Sequence, residues 1–235
     1  MEIPVRYQPR LLTPEERAGY LDWSLDFFTD DRLLQIPYID LTLQLDVTNA
    51  YGVYQQQKDS PGSFFAFLLW HWMQCLQNHW EFRLRYYNQQ WYVLDNPPAM
   101  VSVAIGGKER FSEMLLENVS QLSYGDFAQL YSEKLAQIRA GNYERAEYNT
   151  FCLACIFGNL PNLKFTALSV HYRREKIQGQ SWFYFGQRYW QDGKLLIPLC
   201  FKIHHANADP FVLDQLISQF QTRFSPMPCI PPSSS

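Results

Sequence analysis

Two of the chain's five histidines, His204 and His205, stand side by side in the stretch "IPLCFKIHHANADPF". A neutral imidazole with one nitrogen fixed by a hydrogen bond can serve as a general base through the other near neutral pH. Asp209 follows His205 by four residues, across a turn that leads into an amphipathic helix. Successive side chains at a strand end point to opposite faces, so only one imidazole can meet a given cavity while the other supports the structure. A histidine pair taken alone is more often packing than catalysis.

Other chemistry-bearing residues are less suggestive. Cys152 and Cys155 form a lone CxxC in "NTFCLACIFG", without the second ligand pair a zinc site needs. Read as one strand, this segment puts the two thiols on opposite faces, in core packing. His71 and His79 lie eight apart on a predicted apolar helix with no acidic or thiol partner, and His171 sits in no motif. No metal is expected. "YRREKIQG", residues 172–179, is a basic cluster that suits either a CoA phosphate or a solvated hairpin turn.

The elements that must hold the histidines can be read from periodicity. "LTPEERAGYLDWSLDFF" has the Thr-Pro start and early acidic residues of a helix N-terminus. "YIDLTLQLDVT" alternates as a half-buried strand, and "SPGSFFAFLLWHWMQCLQNH" is a buried helix, apolar nearly all round. "FRLRYYNQQWYVLD" reads as a hairpin and "MVSVAI" as a strand. "GDFAQLYSEKLAQIRAG" is a helix with Gly141 past its end. "TFCLACIFG", "KFTALSVHY", "SWFYFGQRYW" and "KLLIPLCFKIHH" are strand-like, and "PFVLDQLISQFQTRF" is the closing helix. Strands in blocks predict a two-layer α/β (α+β) sandwich, a mixed sheet with helices on one face, rather than a doubly wound sheet. One domain is expected over residues 1–224, with a Pro/Ser-rich flexible tail at 225–235.

Composition narrows the function. Hydrophobic residues make up 47% and aromatics 17%, enough for a sizeable core. A net charge of -3 gives no electrostatic footprint for nucleic acid or anionic membrane, and the tryptophans lack the cationic groove that base stacking needs. The apolar window "FFAFLLWHWM" is too short to insert across a bilayer, and the first residues lack a secretory signal pattern. Scattered cysteines suit a reducing compartment. Cytoplasmic placement is expected. Neither GxGxxG nor GxxxxGK[ST] occurs.

The run "FGQRYWQDGKLLIPLCFKIHHANADPF" resembles the C-terminal part of the chloramphenicol acetyltransferase family, whose HHxxxDG box is shared with dihydrolipoamide acyltransferase catalytic domains. "LTLQLDVT" through "WYVLD" is similar to that family's first sheet, apolar helix and hairpin in the same order, and "GNLPNLKF" to its LPW segment. The resemblance covers about residues 20–224. It implies a homotrimer with sites at subunit interfaces, entered by acetyl-CoA from one side and a small-molecule hydroxyl or amine acceptor from the other. It implies that His205 is the general base, that Asp209 braces the histidine loop through an ion pair, and that His204 is structural. Phe27, Phe28 and Tyr184 match acceptor-pocket positions.

Several positions depart from the family pattern. Pro210 replaces the glycine of the box. The turn must therefore differ, or already suit a φ of about −65°. Gly158 stands where the family has an oxyanion-stabilising serine, and a side-chain donor lost there costs about 10²–10³ in rate. Asn159 should face the other way. Leu21 falls where the family has an arginine paired with the aspartate, leaving Arg17, one turn away, as the candidate partner. Asn162 replaces the tryptophan of LPW, and Tyr184 replaces a small threonine. Two functions follow: a CoA-dependent acetyltransferase whose acceptor is not chloramphenicol, or a catalytically degenerate trimeric binding or assembly protein on the same fold.

Overall fold

A computed structural model describes residues 2–30, 32–57, 62–143, 145–171 and 177–225. Residues 172–176 of the expected basic cluster (172–179) and 226–235 of the expected tail (225–235) lie outside them.

The N-terminal helix signature resolves into two short helices, α1 (Pro14–Arg17) and α2 (Tyr20–Phe27). Thr13 and Glu16 close a reciprocal capping box on α1. Gly19, at φ 77°, breaks the chain between the two. A small sheet is built from β1 (Pro9–Leu11), β3 (Leu84–Tyr87) and β4 (Gln90–Leu94) in the order β1-β4-β3. Asn88 and Gln89, both at positive φ, form the two-residue turn of the expected hairpin.

The main sheet carries seven strands. Its path runs β2 (Tyr38–Asp46), β10 (Lys194–His204), β8 (Trp182–Phe185), β7 (Cys155–Asn159), β5 (Ala99–Gly106), β6 (Arg110–Leu116), with β9 (Tyr189–Gln191) also paired to β10. The sheet is mixed: β7 runs parallel to β5 and β8, and the other pairs are antiparallel. Alternation decides the faces. Leu41, Leu43, Phe157, Phe183, Phe185, Leu199, Phe201 and Ile203 turn to a common core with α4 (Phe64–Leu76), α5 (Tyr124–Arg139) and α7 (Pro210–Thr222). Trp72 of α4 sits fully buried against Phe183, Phe201 and Phe220. Two further helices complete the described α elements: α3 (Thr48–Gln56) and α6 (Tyr148–Leu153).

Three local expectations change. "TFCLACIFG" is half helix and half strand: Cys152 lies in α6 and Cys155 opens β7, both buried. "KFTALSVHY" forms no strand over its described residues. It packs against β2 through side chains instead, with the Leu168 N–H donating to Thr42 Oγ1 and Gln44 to the Phe165 carbonyl. His79 lies beyond the end of α4, so it does not share a helix face with His71.

His71 stays on α4, packed against Phe67, Trp70 and Phe224, and its Nδ1 accepts from Arg223 Nε at 3.3 Å. Burial, with the arginine charge adding, drives its pKa down to about 3. Below the ordinary histidine value of about 6.5 the unfolded chain takes up a proton that the folded chain refuses, so stability falls with pH from there down. Denaturant titrations between pH 7 and 5 are expected to show this loss, at up to about 1.4 kcal/mol per pH unit. His71→Leu should flatten the slope, and an unchanged slope would show that His71 is not its source.

Candidate active site

The histidine pair emerges at the end of β10, where the strand leaves the sheet. His204 is fully buried beside Tyr38 and Trp91. Its Nδ1 accepts from the Ala206 N–H at 3.2 Å. The proton therefore sits on the other ring nitrogen. That Nε2 lies 3.3 Å from Gln178 Oε1. Both ring nitrogens are thus engaged within the fold.

His205 is half-buried and held differently. Its backbone N–H donates to the Pro37 carbonyl at 2.7 Å, and its ring stacks on Phe28 at 4.1 Å between centroids. Phe28 in turn meets Phe27 edge-on, and Trp23 stacks on Phe27. Ser24 Oγ donates to the Ala206 carbonyl at 2.8 Å, tying α2 to the histidine loop. The ring is clamped on one face, while its Nδ1 is buried with no hydrogen-bond partner. An imidazole in this state has an orienting packing surface, and with Nδ1 enclosed the nitrogen left open to an acceptor is Nε2.

Asp209 is not the residue that fixes that ring. It is the N-cap of α7, a position where a carboxylate satisfies orphan helix N–H groups. Its Oδ1 accepts from Phe211 N at 2.8 Å and Val212 N at 3.0 Å. Pro210 is the first residue of this helix. A fixed φ fits there and a missing N–H costs nothing, so the box closes without glycine. Among the described residues no cation lies within ion-pair distance of Asp209. Arg17 does not reach it: its guanidinium pairs with Asp22 at 2.9 Å and Asp26 at 2.7 Å. Leu21 lines a cavity of about 380 Å³ with Asp209, Asn207 and Glu81.

Gly158 and Tyr184 lie elsewhere. They are register partners on β7 and β8, and Tyr184 pairs on with Cys200 of β10. His205 comes five residues after Cys200. At about 3.3 Å per residue, that is about 16 Å along the strand direction. One chain therefore does not bring His205 and Gly158 together. The Tyr184 ring occupies the space above Gly158: a Cβ there would stand 2.1 Å from Tyr184 Cδ1 and 2.6 Å from Cε1. Asn159 turns to the opposite side and lines a cleft of about 420 Å³ with Ser63, Phe65, Pro161 and Arg188. Asn162 is exposed. No group of three or more metal-ligating side chains occurs among the described residues, and no described helix is long and apolar enough to cross a membrane.

Glu81 escapes sequence reasoning, because nothing in "NHWEFR" says that this carboxylate folds in beside Asp209. A charged residue isolated among aromatics is its one available signal.

A mixed sheet with helices on one face and a histidine pair at the exit of its longest strand is the architecture of an acyltransferase fold. A chloramphenicol acetyltransferase superposes with a TM-score of 0.70 at 15% identity, covering 92% of this chain and 100% of the other. A probable dihydrolipoamide acetyltransferase from Listeria monocytogenes 4b F2365 gives 0.61 at 15% identity over 97% of each chain. The cubic core of a pyruvate dehydrogenase multienzyme complex gives 0.65 at 14% identity, over 94% of this chain and 97% of that one. No match was found among curated proteins. Residues 26–221 match the family model described as chloramphenicol acetyltransferase, and the chain belongs to that family.

Proposed function

We propose that the protein is a CoA-dependent acyltransferase in which His205 is the general base, acting on a hydroxyl or amine acceptor other than chloramphenicol. The observation that carries this reading is the His205 ring itself, stacked on Phe28 with Nδ1 enclosed, which leaves Nε2 as the nitrogen that can meet an acceptor. His205 would take the proton from the acceptor hydroxyl as its oxygen attacks the thioester carbonyl of acetyl-CoA. The tetrahedral intermediate then collapses, the C–S bond breaks, and the proton passes to the departing thiolate. His204, with both nitrogens satisfied, would hold the loop, and Asp209 would fix its far end by capping α7. Phe27 and Phe28 would form an apolar wall for the acceptor.

The register separation of His205 and Gly158 supports assembly as a homotrimer, in which His205 of one copy meets the Gly158 end of a second. The cleft beside Asn159 and Pro161, with the exposed Arg188 at its rim, is the place we assign to the CoA arm. A cytoplasmic location is consistent with this co-substrate.

The Tyr184 ring over Gly158 favours a second reading, a trimeric assembly protein without turnover. Release of free thiol from acetyl-CoA, followed with a panel of hydroxyl and amine acceptors, separates the two. The enzyme reading expects release that disappears in His205→Ala. Release at background with every acceptor, or equal release by the variant, would favour assembly.

A further inference from the structure

The cavity beside the histidine loop is rich in hydrogen-bond acceptors and poor in donors. It is lined by Tyr20, Leu21, Glu81, Asn207, Asp209 and Phe211. Glu81 Oε2 is buried and has no partner. Asn207 is 1% exposed; its amide nitrogen donates to the Glu81 carbonyl at 2.6 Å, and its Oδ1 is likewise left without a partner. Asp209 spends Oδ1 on the helix cap and keeps Oδ2. Among the described residues neither carboxylate has a cation within ion-pair distance, since Arg10, Arg17 and Arg83 are engaged with other acids. Burial, with the Asp209 charge adding to it, pushes the Glu81 carboxyl up from its ordinary value.

Buried acceptors left unpaired are costly, more so when charged, so two of them beside the free oxygen of Asp209 describe a site awaiting donors. The remaining walls are apolar: Ala18, Leu21, Val212 and the exposed rings of Tyr20 and Phe211. A bare metal ion would leave those walls unused. We infer that this cavity binds a small organic ammonium ligand, its charged nitrogen between Glu81, Asp209 and Asn207 Oδ1 and its aliphatic body against Leu21 and the two rings. The bound ammonium gives the histidine loop the cation that no described residue supplies. The site would thus report ligand occupancy to His205, four residues upstream of Asp209.

Calorimetric titration of the full chain with 1,4-diaminobutane, in salt of about 0.15 M to screen non-specific attraction, tests this. Saturable binding is expected, with none for the neutral isostere 1,4-butanediol. Glu81→Gln should weaken it by about tenfold or more, the worth of one charge-assisted hydrogen bond. Leu21→Arg places a guanidinium in the cavity from the chain itself; it should abolish diamine binding and raise the melting temperature. No saturable heat with the diamine, equal binding of the diol, or Leu21→Arg binding the diamine as tightly as the parent would each overturn the inference. None of these readouts depends on acyl transfer, so failure here leaves the catalytic reading standing.

Discussion

Gly158→Ser alone is expected to destabilise the protein, and Gly158→Ser combined with Tyr184→Thr to restore stability and raise thiol release from acetyl-CoA. The Cβ of any residue at 158 would lie 2.1 Å from the Tyr184 ring, far inside van der Waals contact. Overpacking of this kind typically costs about 1–3 kcal/mol. The backbone of Tyr184 is paired on both sides, to β7 and β10, and the clash falls on the near edge of its ring, at Cδ1 and Cγ, rather than on a far end that could bend away. Removing the ring removes the clash, so the two substitutions should couple strongly in a double-mutant cycle. The serine would then supply an oxyanion donor, worth about 10²–10³ in rate. Melting curves and initial rates for the four proteins of the cycle decide the matter. A double-variant loss equal to the sum of the two single-variant losses would mean that the two sites are independent. A rate unchanged in the double variant would mean that Gly158 does not face the reacting carbonyl.

The second large effect is expected at Arg85. It is fully buried on β3, without a carboxylate partner among the described residues, and its N–H groups go mainly to backbone carbonyls. Nε donates to Leu153 at 3.1 Å, Nη2 to Ala154 at 3.0 Å, and Nη1 to Leu84 at 2.7 Å, with Gly179 and Phe82 also in reach. The guanidinium therefore pins the small sheet to the chain entering β7 and to the loop before β8. Arg85→Ala would remove these donors, leaving the buried Leu153, Ala154 and Leu84 carbonyls short of a partner at about 1–3 kcal/mol each, for a total loss of about 4 kcal/mol or more, while Phe82 and Gly179 keep Ser181 and Asn207. That is a large share of the roughly 5–15 kcal/mol by which a domain is stable. Arg85→Lys offers one point donor in place of a planar fork and should recover only part of the loss. Urea denaturation of the two variants checks this. A loss below about 1 kcal/mol for Arg85→Ala would mean that the carbonyls find other donors.

What can be read in the sequence follows the range of the forces involved. Period-two alternation exposes β2, apolar spacing exposes α5 and α7, and unbroken apolar runs expose α4 and β10, because all of these signals are local. The histidine pair and the aspartate that opens α7 are legible for the same reason. β6 escapes because Glu113 interrupts its short apolar run, and its pairing with β5 supplies what local pattern does not. "KFTALSVHY" has strand composition, but its polar partners are side chains of β2 rather than a backbone ladder. The fit of Tyr184 over Gly158, the carbonyl cage of Arg85 and the approach of Glu81 to Asp209 join residues far apart in sequence. No short window along the chain contains Gly158 with Tyr184, Arg85 with Leu153 or Ala154, or Glu81 with Asp209.

The pairing of β10 with β2 has a consequence for synthesis. Asp46 meets Leu196 and Tyr38 meets His204, so the first strand of the main sheet waits for nearly the whole chain before its partner exists. Closing so long a loop is slow, and until it happens β2 and β8 present open edges. The strand that completes the sheet also delivers His205, so a nascent or truncated chain lacking β10 would carry exposed strand edges and no histidine loop. Such chains should aggregate or be degraded rather than persist as partly active species.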